Sequence, residues 1–376
     1  MLKLPTIKKT KIFKFNKIWF SYFFVKVFYL FFANLVVANF TTLGDTYRYL
    51  AGPSAWQGNL LVSSTVMMDT LASSSAMIFG NYLGSLPFLI ISFIGVYYPI
   101  SKIQMNNKTL VYILLLLSFP SFGVWTSIAS KEAVGVFYMG IILAGYIDVY
   151  ERRNVGNLFM FFFAIYLCFI FKPQYMIGVF GLFSYTIISR KLGLNSGWKL
   201  LLFFISVLVG ATFLYYFRNV IDDLSKLMPA HFSTDAGSTR DNTIWVDQYD
   251  FFWNAPYGIY IGFVGPTFNE ALSKPTHFLA WLESMIILGV FSYFLIKYTA
   301  TVLRFGRINV MFVCGFSILL FWILLVHYPF SALNPGSALR YRGSFYAFLV
   351  ILFYYMYSRA MSPYLRCPVS KNGIQQ

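Results

Sequence analysis

The sequence predicts an all-α, polytopic membrane protein of about ten transmembrane helices. Three observations carry this. Hydrophobic residues make up 58% of the 376 positions and charged residues only 11%, with a mean hydropathy of +0.65. Apolar runs of about 20 residues, the length that spans a bilayer, recur along the chain. The lysines and arginines gather on one side of those runs, as cytoplasmic loops do. No soluble domain has this balance. The chain reads as one integral membrane domain over 1–376, with both termini cytoplasmic and two long periplasmic loops carrying interfacial helices, 40–82 and 218–275.

The expected spans are 18–39, 83–101, 109–125, 132–150, 156–172, 175–190, 198–217, 276–298, 308–328 and 343–359. This register places 19 of the 29 lysines and arginines on the cytoplasmic side, with only Asp148 and Glu151 among the 13 acids. The net charge of +16 is thereby a topology signal and does not call for nucleic acid. The basic arm Met1–Lys17 holds six lysines and no acid, and reads as a cytoplasmic segment before an anchor rather than a cleaved signal. Cys168, Cys314 and Cys367 are scattered, and His231, His277 and His327 lack metal-ligand spacing, so neither a disulfide framework nor a metal site is expected. The short cytoplasmic loops leave no room for an ATP-binding domain, and no G-x-x-x-x-G-K-[ST] motif occurs. No internal repeat of the kind many transporters carry is visible.

Lys26 falls inside the first span, either snorkelling to the cytoplasm or pairing with an acid elsewhere. The first far-side loop opens Gly44-Asp45-Thr46-Tyr47-Arg48-Tyr49. Asp45 and Arg48, three apart, either pair on one helical face or act as a base and an anion-pocket residue. The remainder, Trp56–Tyr82, is too apolar for a solvated loop and calls for helices on the membrane interface or against the bundle. In Phe119–Ala133, Pro120 ends or kinks the third helix, and small residues lead into Lys131-Glu132 at a helix start. Glu132 suits the positive end of a helix dipole; Lys131 does not, and an anion bound there would account for it. Lys172, in a tight proline turn, is either an interfacial cation or a second lysine facing the same cavity.

The loop 218–275 begins at Arg218 and interleaves Asp247 and other acids with Trp245, Trp253 and further aromatics. Carboxylates that accept hydroxyl hydrogen bonds, beside flat rings, suit a carbohydrate cleft; the same composition also suits an interfacial aromatic belt. The stretch 331–343 ends in Arg340-Tyr341-Arg342 at the non-cytoplasmic mouth of the last span. A charge dragged to the bilayer centre costs about 2.5–3.5 kcal/mol, so an anion such as a lipid phosphate or pyrophosphate is expected to compensate the pair. Two arginines separated by one residue share a face only in an extended segment, and Asn334-Pro335-Gly336 favours a non-helical entry.

These features together resemble the Wzy-type O-antigen and capsule repeat-unit polymerases and the related EpsG-like proteins of bacterial surface-polysaccharide loci. The resemblance rests on chain length, Phe/Tyr-rich spans, Gly44-Asp45 with Tyr47 and Arg48, Pro120-Ser121 with Trp125 and Lys131-Glu132, and Arg340-Tyr341-Arg342. It covers most of the chain through loose motifs. It implies a C-type membrane glycosyltransferase of the bacterial inner membrane, active on the periplasmic face, metal-independent and without cofactor. Undecaprenyl-pyrophosphate-linked oligosaccharide would be donor and acceptor, beside membrane lipids and a chain-length regulator as partners. Arg340, Arg342, Arg218, Lys131 and Arg48, with Lys172, would hold the pyrophosphate. Glu132, Asp45 or His327 would be the base, and Trp245, Trp253 and Asp247 would hold glycan. The alternatives are a transferase adding one sugar from a polyprenyl-phosphate donor, with Asp45 near a metal, and a lipid-linked glycan transporter.

Overall fold

A computed structural model describes residues 16–52, 58–232 and 239–365. Most of the basic arm, Trp56, Asp235 and Cys367 lie outside the described residues. The described chain is predominantly helical, and no strand occurs among its residues. In order the helices are α1 (Lys17–Leu35), α2 (Thr46–Ala51), α3 (Ser64–Leu83), α4 (Leu86–Ser101), α5 (Asn107–Leu116), α6 (Pro120–Trp125), α7 (Lys131–Tyr150), α8 (Leu158–Phe171) and α9 (Tyr175–Lys191). They continue with α10 (Ser196–Tyr216), α11 (Arg218–Leu227), α12 (Asp250–Trp253), α13 (Ala255–Val264), α14 (Phe268–Ser273), α15 (Pro275–Phe305), α16 (Val310–His327) and α17 (Pro335–Leu365). Side-chain caps set many of the starts: Asn16, Ser63, Asn106, Ser130, Asn157, Asn195 and Asn309 each accept a first-turn N–H.

Among the described residues, five segments are long and apolar enough to cross a membrane: Lys17–Asn39, Lys131–Tyr150, Ser196–Tyr216, Pro275–Phe305 and Val310–Phe330. α3 and α4, bent by 95° at their junction, make a sixth if counted as one broken span. α5 and α8 are apolar but only 10 and 14 residues long. The expected third span, 109–125, is interrupted: α5 ends at Leu116 and a separate α6 begins at Pro120. Proline at the first position of α6 lacks the N–H that would continue the ladder.

α7 is the central element, packed between α4, α8 and α17. Its approach to α4 is close because both are glycine where they cross. A Cβ on Gly140 would lie 1.8 Å from the Gly95 carbonyl oxygen, and one on Gly95 would lie 2.3 Å from that of Val136. Backbones meet this closely only where side chains are absent. With 20 residues, α7 is about 30 Å long, matching the hydrocarbon thickness. Charged groups collect at both of its ends. At the C-terminal end Lys102 pairs with Asp148, and Glu151 accepts from Arg359 and Tyr355, each at 2.5 Å. The N-terminal end carries the site described below.

Two sequence expectations change. Lys26 neither snorkels nor meets an acid; it is 1% exposed and donates to Thr126 Oγ1 at 2.8 Å. The segment 331–343 is not an extended entry. Asn334 Oδ1 accepts the Ser337 N–H at 3.0 Å, Pro335 takes the first helical position, and the two arginines lie on a helix. This is a normal capped start, since proline's fixed φ suits that position. Among its described residues the region 218–275 carries α11 to α14, and Arg240 ties the end of α13 and the start of α14 to the chain before α17. Its guanidinium reaches the Ala332 carbonyl at 2.5 Å, the Gly265 carbonyl at 2.6 Å and both oxygens of Glu270.

Candidate functional site

Six of the residues singled out in the sequence converge at the N-terminal end of α7. Glu132 stands in the first turn of α7 and is 0% exposed. Ser130 caps that turn, accepting the Ala133 N–H at 3.0 Å and donating to the Trp125 carbonyl at 2.5 Å, which fixes where Glu132 points. Arg340, on the second turn of α17, bridges two carboxylates. Its Nε donates to Glu132 Oε2 at 3.3 Å and its Nη2 to Asp45 Oδ2 at 3.2 Å. The flat guanidinium fork suits such bridging.

Asp45 lies just before α2, its side chain about half exposed at 46%. It also accepts from Tyr49 OH at 3.3 Å and faces Arg48 Nε at 3.8 Å. Arg48 reaches on to Asp69 of α3, at 3.0 and 3.2 Å from its two oxygens. Burial pushes the Asp45 carboxyl up, but the charge and hydrogen bond of Arg340, with Arg48 and Tyr49, outweigh it and hold it below the ordinary value of 3.8. Gly44 makes room for the bridge. Its φ is +58°, and a Cβ there would lie 2.3 Å from Arg340 Nη1.

Two lysines complete the rim. Lys131 Nζ donates to Ser64 Oγ at 3.1 Å and Thr65 Oγ1 at 3.0 Å, both on α3. Lys172 Nζ sits 4.0 Å from the centroid of the Tyr341 ring. Both contacts are with neutral groups. Arg48, Lys131, Lys172 and Arg340 thus face Asp45, Asp69 and Glu132, leaving a formal excess of one positive charge. Glu132 Oε1 is buried and without a hydrogen-bond partner among the described residues. A buried oxygen left this way is costly, and here it points to a group that a ligand would complete.

Comparison with known proteins adds no relative. No family model, curated protein or solved structure matches the chain.

The structure separates the other expected residues from this cluster. Arg342 does not join Arg340: two residues on a helix are about 200° apart around its axis. Arg342 is 2% exposed and donates to the Phe263 carbonyl at 2.7 Å, Ser284 Oγ at 2.8 Å and Ser121 Oγ at 3.2 Å. Its counter-charge is Glu283, at 3.5 Å. Arg218 turns back on its own helix junction, donating to the Tyr215 carbonyl at 2.8 Å and covering the Tyr215 ring. His327 is held apart from the carboxylates by its own contacts, its Nε2 3.1 Å from the Gly262 carbonyl and its ring edge-on to Phe345; its Nδ1, like Glu132 Oε1, is buried without a hydrogen-bond partner among the described residues. Trp245 is core, 2% exposed, with its indole N–H donating to Tyr328 OH at 2.6 Å, and it offers no face to a sugar. Trp253 and Asp247 are exposed.

Sequence reasoning missed Asp69, Tyr49, Tyr341 and Glu283 as partners. Tyr341, between the two arginines, and Gly44, directly before Asp45, were adjacent to chosen residues. Glu283 carried the one usable signal: it is the only acid within the expected span 276–298, and intramembrane acids need a partner.

Proposed function

We propose that the chain is a membrane glycosyltransferase that polymerises undecaprenyl-pyrophosphate-linked oligosaccharide, the reaction of the Wzy-type polymerases it resembles. The observation that carries this is Glu132, with one carboxylate oxygen on Arg340 and the other unpartnered in a rim of cations. In the reaction an acceptor hydroxyl oxygen attacks C1 of the donor sugar as the C1–O bond to pyrophosphate breaks. The hydroxyl proton passes to Glu132 Oε1, and the bonding pair leaves with the pyrophosphate. A single displacement inverts the anomeric centre. Half-exposed Asp45 is the alternative acceptor of that one proton.

The leaving pyrophosphate gains negative charge, and preorganised cations that need not reorient are what lowers such a barrier. Arg340, Arg48, Lys131 and Lys172 supply them. An entering pyrophosphate competes with Asp45 for Nη2 of Arg340, freeing that carboxylate as the anion binds. The arrangement belongs to a ten-span topology in the bacterial inner membrane with this end periplasmic, where a chain-length regulator would act on the product.

The test is a glycan gel from cells lacking the gene and complemented with variants. Glu132→Gln and Arg340→Ala, inserted at native levels, are expected to collapse the ladder to a single repeat unit. Long chains from either variant would overturn the assignment, and loss of all repeat units would indicate an earlier sugar transfer or flipping instead.

A further inference from the structure

α11 carries a three-way division of its surface that the polymerase reading does not use. At about 100° per residue, Ile221, Asp222 and Ser225 fall on one side. Ile221 packs with the cluster around Trp245 and Tyr328. Asp222 accepts the Tyr249 N–H at 2.7 Å and Lys226 Nζ at 3.0 Å. This side is held by the protein. Asn219, Asp223 and Lys226 fall on a second side and are exposed. Val220, Leu224 and Leu227, spaced by four and three, fall on the third within an arc of about 60°. They are 54%, 57% and 65% exposed.

A helix that buries an aspartate in the protein and turns three aliphatic side chains outward is the reverse of a soluble surface helix. What covers the third side is indicated by the element before it. Only Phe217 separates α11 from α10, a 21-residue apolar helix with no buried residue. α10 is long and apolar enough to cross a membrane, and lipid satisfies such a surface without a protein partner. Tyr215, Tyr216 and Arg218 mark the junction, the residue types that sit at headgroup depth. The apolar side of α11 begins where the lipid-covered helix ends.

We infer that α11 is an interfacial membrane helix, with Val220, Leu224 and Leu227 seated in the acyl–headgroup boundary of the bilayer, Asp223 and Lys226 in water, and Asp222 locked to the protein. It fixes the height of α12 and α13 over the membrane surface through the Asp222–Tyr249 contact.

The test uses the full chain in vesicles of phosphatidylethanolamine and phosphatidylglycerol. Cys168 and Cys314 are buried, so Cys367→Ser leaves a background for single nitroxide labels at Leu224→Cys, Val220→Cys and Asp223→Cys. Relaxation by oxygen, which partitions into lipid, is compared with relaxation by a water-soluble nickel chelate. Labels at 220 and 224 are expected to show an oxygen-to-nickel ratio several-fold above the label at 223. Equal ratios at 223 and 224 would place this side in water and overturn the inference. Shielding of 220 and 224 from both reagents would also overturn it, assigning the side to a second copy of the chain or another protein.

Discussion

Removing Arg342 separates a structural arginine from a catalytic one. Arg342→Met deletes the cation that pairs with Glu283. That carboxylate is 6% exposed and keeps only Ser121, through its N–H at 3.0 Å and its hydroxyl. Breaking a buried pair from one side costs about 3–5 kcal/mol, because the remaining charge is uncompensated. The Phe263 carbonyl also loses its 2.7 Å donor, worth about 1–3 kcal/mol if nothing replaces it. Against a typical total of about 5–15 kcal/mol, the single variant is expected to be severely destabilised. Replacing both charges by apolar residues of similar volume removes the stranded carboxylate, and such swaps are often neutral or stabilising. Arg342→Met with Glu283→Leu should therefore recover most of the loss. The assay is thermal unfolding in detergent, followed by tryptophan fluorescence and by the surviving monodisperse fraction. A single variant as stable as the parent, or a double variant no better than the single, would refute the buried-pair account. Full stability with lost chain extension in the single variant would return Arg342 to the catalytic group.

Gly44→Ala forces a side chain into a left-handed backbone position, at about 1–2 kcal/mol, and drives it against Arg340; chain extension measured in membranes should fall further than the unfolding temperature does. Trp245→Ala should cost about 3–5 kcal/mol through the cavity it leaves, whereas exposed Trp253→Ala should leave the unfolding midpoint unchanged. The lowered value of Asp45 means that the folded protein holds this proton more weakly than the unfolded chain. Its contribution is present above the ordinary value of 3.8 and is lost as pH falls through the depressed one. Infrared difference spectra of the carboxyl band should show Asp45 protonating below pH 3.8, with Arg340→Gln moving it upward; an unshifted band in that variant would disprove the coupling.

The membrane-helical character was legible because it depends on composition and local apolar runs, which read the same in any tertiary context. So were the positions where charge meets the end of an apolar run: Asp45, Arg48, Lys131, Glu132, Lys172 and Arg340 all belong to the cluster. Arg342, Arg218, His327 and Trp245 were chosen by the same logic and do not. Polar residues beside apolar runs are selected both for chemistry and for holding helices together, and composition does not distinguish the two.

The sequence by itself determined the helices, their approximate limits and the set of ionisable groups that must find partners in a low-dielectric surrounding. Only the tertiary structure decided which partner each found. Arg340 meets Glu132 across 208 residues of chain and Asp45 across 295, while Arg342, two positions on, turns to Glu283. The helical turn between the two arginines sends them to opposite sides of α17. What waits on each side depends on which helices pack there, and neighbouring positions in the chain carry no record of that.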